Sequence, residues 1–219
     1  MPDINATCQF EPGYLKQLRT GELKKKAELA EKLLRNCKCC PHQCSVNRYE
    51  SRDGFCVSGH LPIVSSYTKH FGEEPGLSGT NGAGNIFFGN CNLRCVYCQN
   101  FKISQNPKRE ILNICSINRV AEIMIELQDE GCHNIGLVSP SHFIPQIIHA
   151  VYIAANLGLK IPVIYNSNGY DSVSSLRLLE GIVDIYLPDF KYGCNEYALN
   201  YSMIKNYYDT ATLALKEMY

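Results

Sequence analysis

Cys91, Cys95 and Cys98 stand in a C-x3-C-x2-C array within "NIFFGNCNLRCVYCQNF", residues 85 to 101. Thiolates at that density suit a soft metal. A closed zinc site or an ordinary four-iron cluster takes four protein ligands, however, and no fourth cysteine lies close by. Three thiolates on a four-iron cluster hold three irons and leave one open to a small ligand, an arrangement suited to chemistry rather than structure. A second group, Cys37, Cys40, Cys44 and Cys56, reads C-x2-C-x3-C with a further cysteine after eleven residues. Four thiolates could close a tetrahedral zinc site or ligate a second iron–sulfur cluster, and Cys39 leaves the choice of ligands open. Cys8, Cys115, Cys132 and Cys194 are isolated and read as small buried side chains.

The 219 residues are enough for one large domain, or a domain with an appendage, to bury a core without disulfides. Twenty-one basic and 21 acidic residues balance, so the electrostatic footprint of a nucleic-acid binder is absent. The start, "MPDINATCQFEPGY", lacks a basic and apolar leader, and no apolar run reaches the roughly 18 residues of a membrane span. The expectation is a soluble, cytoplasmic protein with no membrane partner. Twelve cysteines in a reducing compartment point to metal or redox chemistry, and seven of them fall in 37–44 and 91–98.

The elements that must position these cysteines follow from periodicity. Residues 22–36 put Leu23, Ala27, Ala30 and Leu34 on one helical stripe, and a Gly-, Pro- and Ser-rich stretch, 37–84, reads as loop. In it, "GTNGAGN" reads as a flexible entry to the first strand, since it lacks the ending a phosphate-cradling loop needs. From 85 onward, apolar runs of strand length alternate with helical patterns: 85–89 then 116–130, 134–139 then 144–157, 161–166 then 172–180, 182–187 then roughly 195–216. Ser116 suits an N-cap, Pro145 a first helical turn, and Gly131, Gly158 and Gly181 helix ends. These are four successive βα units, so the fold class is α/β. Parallel βα repeats build a partial (β/α) barrel that stops after the fourth helix. The division expected is a helical, cysteine-rich N-terminal region, 1–84, and a βα core, 85–219.

Parallel α/β folds bind ligands at the carboxyl ends of their strands. Here those ends are Gly89-Asn90-Cys91, Ser139-Pro140-Ser141-His142, Asn166-Ser167-Asn168-Gly169 and Pro188-Asp189-Phe190-Lys191, and all are polar. Plainer roles exist for the last three: Asn168-Gly169 as a turn, Asp189 and Lys191 as a surface pair, and His142 as a capping group.

"CNLRCVYC" resembles the cluster signature of the radical S-adenosylmethionine (SAM) enzymes, with Tyr97 as the aromatic before the third cysteine. From about residue 37 onward, "C-x2-CP-H-x-C-x-V-N-R", "FGEEPGLSGTNGAGNIFF", "SPSHFIPQI" and "VDIYLPDFKY" resemble the branch related to pyruvate formate-lyase activating enzymes. The resemblance implies a 4Fe-4S cluster on Cys91, Cys95 and Cys98, with SAM chelating the open iron and cleaved to a 5'-deoxyadenosyl radical. It implies SAM contacts from Asn166, Asn168, Asp189 and Lys191. Ser139 and Ser141 are expected there too, standing where relatives carry a Gly-Gly-Glu-Pro-like segment. "GEEP" at 72–75 precedes the cluster loop and reads as a turn. A reductant such as a flavodoxin or ferredoxin and a protein substrate bearing a glycine are the implied partners. The alternative is a non-catalytic iron–sulfur or zinc protein, structural or electron-transferring.

Overall fold

A computed structural model describes residues 10–219, so Cys8 lies outside the described residues. Helices α1 (Gly13–Thr20) and α2 (Glu22–Glu31), strand β1 (Val64–His70), short helix α3 (Pro75–Ser78) and strand β2 (Ala83–Phe88) come first. Helices α4 (Phe101–Ser104), α5 (Pro107–Glu110) and α6 (Ile117–Asp129) follow. Then β3 (Ile135–Val138), α7 (Ile144–Asn156), β4 (Val163–Ser167), α8 (Val173–Leu179) and β5 (Ile185–Pro188) alternate, before α9 (Asn195–Ser202) and α10 (Tyr207–Met218).

The sheet order is β1-β2-β3-β4-β5, with β2 to β5 parallel and β1 antiparallel to β2. This α/β fold, with its five-stranded and mostly parallel sheet, is consistent with a partial barrel. One row of registered residues, Ile86, Leu137, Tyr165 and Tyr186, crosses the four parallel strands. The first three are fully buried, as strands covered by crossover helices require. The helix signals act as read: Ser116 Oγ accepts from the Arg119 amide at 3.1 Å, Pro145 opens α7, and Gly131, Gly158 and Gly181 follow α6, α7 and α8 at positive φ.

Three expectations need correction. The stretch 37–84 is not all loop, because β1 pairs along β2 from Val64 to His70. "VSSYTKH" has β-formers but no apolar run, as befits an edge strand with its middle exposed and a lysine near its end. "GTNGAGN" ends inside β2 rather than leading flexibly into it. A Cβ at Gly84 would lie 3.0 Å from the Asn134 carbonyl, a tight fit against the neighbouring backbone that favours glycine there. The boundary at 84/85 therefore cuts β2, and Tyr14, Leu23, Ala27 and Ala30 of α1 and α2 share one core with Ile86, Leu137 and Tyr165.

The third correction concerns the last helical region, which is two helices. Met203 adopts φ 61° after α9, its amide bonding the Leu199 carbonyl at 3.1 Å. The apolar periodicity runs on across this break, so the pattern alone reads as one helix.

Candidate functional site

β2 delivers the cysteine loop to the carboxyl rim of the parallel strands. Asn90 turns the chain there at φ 63°, a strained conformation for a non-glycine residue, and its amide bonds the Ile103 carbonyl at 2.8 Å. The loop is then held by α9. The last carbonyls of a helix have no partner within it, and here they accept from the loop: Tyr201 O from the Val96 amide at 2.9 Å, Ser202 O from the Arg94 amide at 3.4 Å. Arg94 braces the loop internally, donating to the Cys91 carbonyl at 2.7 Å and to the Phe55 carbonyl at 2.5 Å.

Cys91 and Cys95 are buried and Cys98 half-buried. Polar groups surround the sulfurs. Cys91 Sγ accepts from the Leu93 amide at 3.4 Å and from Asn168 Nδ2 at 3.5 Å. Cys95 Sγ accepts from Ser202 Oγ at 2.8 Å, and Cys98 Sγ lies 3.2 Å from Ser104 Oγ. Burial pushes the Cys91 thiol up to about 11, opposed by the Leu93 amide and Arg94 and reinforced by Cys95 and Cys98. A bound cation inverts that balance, since a coordinating thiol is deprotonated outright.

Among the described residues no three His, Cys, Asp or Glu side chains converge to share one metal ion. Three thiols on one loop, with hydrogen-bond donors directed at the Cys91 and Cys95 sulfurs, suit the thiolate ligation of an iron–sulfur cluster.

The other expected residues are distributed along the rim. Asn168 is buried and turned toward the loop: Nδ2 donates to Asn92 Oδ1 at 2.7 Å, while Oδ1 accepts from the Tyr170 amide at 3.0 Å. Asn166 is half-buried, and its carbonyl accepts from the amide of Ser139, itself at φ 57°. Ser141 is fully buried beside Asp171, whose carboxylate accepts from Tyr165 Oη at 2.7 Å and Ser167 Oγ at 2.6 Å. Burial raises the Asp171 pKa, and those hydroxyls oppose the shift. Asp189 and Lys191 form an ion pair at 2.6 Å with Asp189 largely exposed. His142 does not cap α7. Its Nε2 lies 3.0 Å from the Gly89 carbonyl, joining the ends of β3 and β2, and Nδ1 is buried without a partner. Burial, with the Arg48 charge adding, pushes its pKa down to about 3.

Residues 85–217 match the Radical SAM superfamily. The chain belongs to that superfamily. Membership implies a 4Fe-4S cluster and SAM. An uncharacterized protein of Methanocaldococcus jannaschii, MJ0674, is 36% identical over 204 residues, which are 91% of this chain and 58% of the relative. The chain thus spans rather more than half of that relative's length. No solved structure matches it. Among the described residues no helix is long and apolar enough to cross a membrane.

The N-terminal cysteines gather separately. Burial pushes the Cys40 thiol well up, and Cys56, Cys37 and Cys44 push it further, so those three stand within electrostatic reach of Cys40. A hydrogen bond with Cys39 holds Cys37 below its ordinary value, and the Arg48 charge adds to that. Cys115 is half-buried and Cys132 buried, while Cys194 is only half-buried. Sequence reasoning missed Asn92, Ser202 and Tyr207. The signal for Asn92 was its place inside "CNLRC". Tyr207, whose hydroxyl lies 2.7 Å from the Asn168 carbonyl and accepts from the Lys191 amide at 2.8 Å, had none.

Proposed function

We propose that the protein is an enzyme that reductively cleaves SAM and abstracts a hydrogen atom from its substrate. The observation that carries this is the loop of Cys91, Cys95 and Cys98, which has no fourth cysteine and leaves β2 at the carboxyl rim of the parallel strands. In this reading the three thiolates hold the cluster and leave one iron for SAM. When bound, the cluster and SAM together supply the one-electron cleavage that yields a 5'-deoxyadenosyl radical.

The chain's own residues orient and shield. Asn168 and Ser202 donate to the sulfurs of Cys91 and Cys95, and α9 fixes the loop backbone. Asn166, Ser139 and the Asp189–Lys191 pair offer polar groups on the same rim for SAM, while Ser141 stays buried beside Asp171 and Asn168 acts through Asn92 and Cys91. The electron comes from a low-potential carrier of the flavodoxin or ferredoxin kind. The finer reading, abstraction from a glycine of a partner protein, rests on the resemblance of "CNLRCVYCQN" and "VDIYLPDFKY" to the activating-enzyme branch.

Anaerobically reconstituted, reduced protein should give an electron paramagnetic resonance signal that shifts when SAM is added, and should release 5'-deoxyadenosine. The C91A/C95A/C98A variant should lose both. An unchanged spectrum from wild-type protein with full iron and sulfide would sink the SAM assignment and leave a non-catalytic iron–sulfur protein.

A further inference from the structure

The segment from Cys37 to Gly59 has turns but no helix or strand, yet much of it is buried. Cys37, Cys40 and Cys56 are buried and Cys44 is half-buried. The chain wraps around them in tight turns: the Cys37 amide bonds the Val46 carbonyl at 2.9 Å, the Ser45 amide returns to the Cys37 carbonyl at 3.0 Å, and the Gln43 amide bonds the Cys40 carbonyl at 3.0 Å. The Phe55 amide points at Cys44 Sγ, 3.4 Å away. Gln43 and Ser45, on either side of Cys44, and Val57, directly after Cys56, take left-handed φ angles of 43°, 56° and 52°. For a β-branched valine that is an outlier that the surroundings must enforce.

Arg48 supplies the second observation. It is 2% exposed, donates to the carbonyls of Ser58, Gly59 and His142 and to Cys39 Sγ at 3.8 Å, and leaves Nη2 buried without a partner. Among the described residues no carboxylate pairs with it. A buried guanidinium demands a counter-charge, and thiols are the nearby groups able to supply one. Thiols carry that charge once they bind metal. The set offers four thiols with no histidine or carboxylate among them, the all-sulfur ligation that iron–sulfur clusters take.

We propose that Cys37, Cys40, Cys44 and Cys56 ligate a second iron–sulfur cluster, fully coordinated by protein, with Arg48 as its buried counter-charge. Cys39 stands outside the ligand set, against Arg48. The two cysteine segments touch. His42, two residues after Cys40, places Nε2 2.8 Å from the carbonyl of Asn92, next to Cys91, and stacks on Phe55 with ring centroids 3.9 Å apart.

The experiment is iron, sulfide and zinc analysis of the full chain purified anaerobically. The C91A/C95A/C98A variant should keep about half the iron and sulfide of wild type, in equal amounts. Adding Cys40→Ala should remove the remainder, and adding Cys39→Ala should not. As the reciprocal arm, Cys40→Ala with Cys44→Ala in otherwise wild-type protein should halve the iron while leaving a reducible first cluster, which also reports that the chain still folds. Zinc without sulfide in the C91A/C95A/C98A variant, no metal in it at all, or iron unchanged by Cys40→Ala would each overturn the second cluster without touching the first.

Discussion

Asn168, just beyond β4, and Asn92, inside the cysteine loop after β2, join side chain to side chain at 2.7 Å across 76 residues of sequence. Asn92 also donates to the Tyr170 carbonyl at 2.7 Å, and its own carbonyl meets His42. It is therefore the point where the loop, the end of β4 and the N-terminal cysteine segment meet. Asn92→Ala leaves the Asn168 amide and the Tyr170 carbonyl buried without that partner, at about 1–3 kcal/mol for such groups. Chemical denaturation should register that loss, and a chelator should strip iron from the variant faster than from wild type.

Ser202 donates to Cys95 Sγ and is itself bonded to the Tyr192 hydroxyl. A hydrogen bond to a cluster sulfur stabilises the reduced, more negative state and raises the potential. Ser202→Ala is thus expected to lower the midpoint potential of the Cys91, Cys95 and Cys98 cluster, measured by potentiometric titration of its resonance signal. A potential that is unchanged or higher would contradict this role for Ser202.

Gly169 follows Asn168 at φ 74°, and a Cβ there would lie 2.6 Å from the Asp189 carbonyl. Gly169→Ala meets both backbone strain and a backbone clash and should cost more than about 1 kcal/mol. The thermal midpoint should fall by roughly 2–4 °C for each kcal/mol lost. Tyr207 packs at the same turn, so the strands β4 and β5 should loosen together at their carboxyl ends.

The buried His142 links stability to pH. Its pKa falls from about 6.5 unfolded to about 3 folded, so between those values the unfolded state binds the extra proton. Stability is full above the unfolded pKa and declines as pH drops below it, by up to about 1.4 kcal/mol per pH unit from this group. His142→Gln removes the titration while an amide can still donate to the Gly89 carbonyl. Denaturation midpoints between pH 7 and 5 should then fall less steeply in the variant than in wild type. Parallel slopes would show that His142 is not the group responsible.

Local pattern determined much of this protein. The spacing of Cys91, Cys95 and Cys98 puts three thiols within eight residues, so one loop carries all three. The alternation of apolar runs and helical stripes from 85 onward, with Ser116 and Pro145 at helix starts, determined the βα order, since burial periodicity and capping are local properties. Edge strand β1 escaped because half its surface faces solvent and it carries no buried stripe. The break at Met203 escaped because apolar spacing continues through it, and only packing of α9 on the cysteine loop makes the turn worth its strained backbone. Tertiary structure alone decided that Ser202 reaches Cys95 across 107 residues and that Asn168 turns to Asn92 and Cys91. It also decided that Arg48 is buried against the Cys39 sulfur, with no carboxylate partner among the described residues. Such pairings depend on where the chain returns after long excursions, and no periodicity in the sequence encodes that distance.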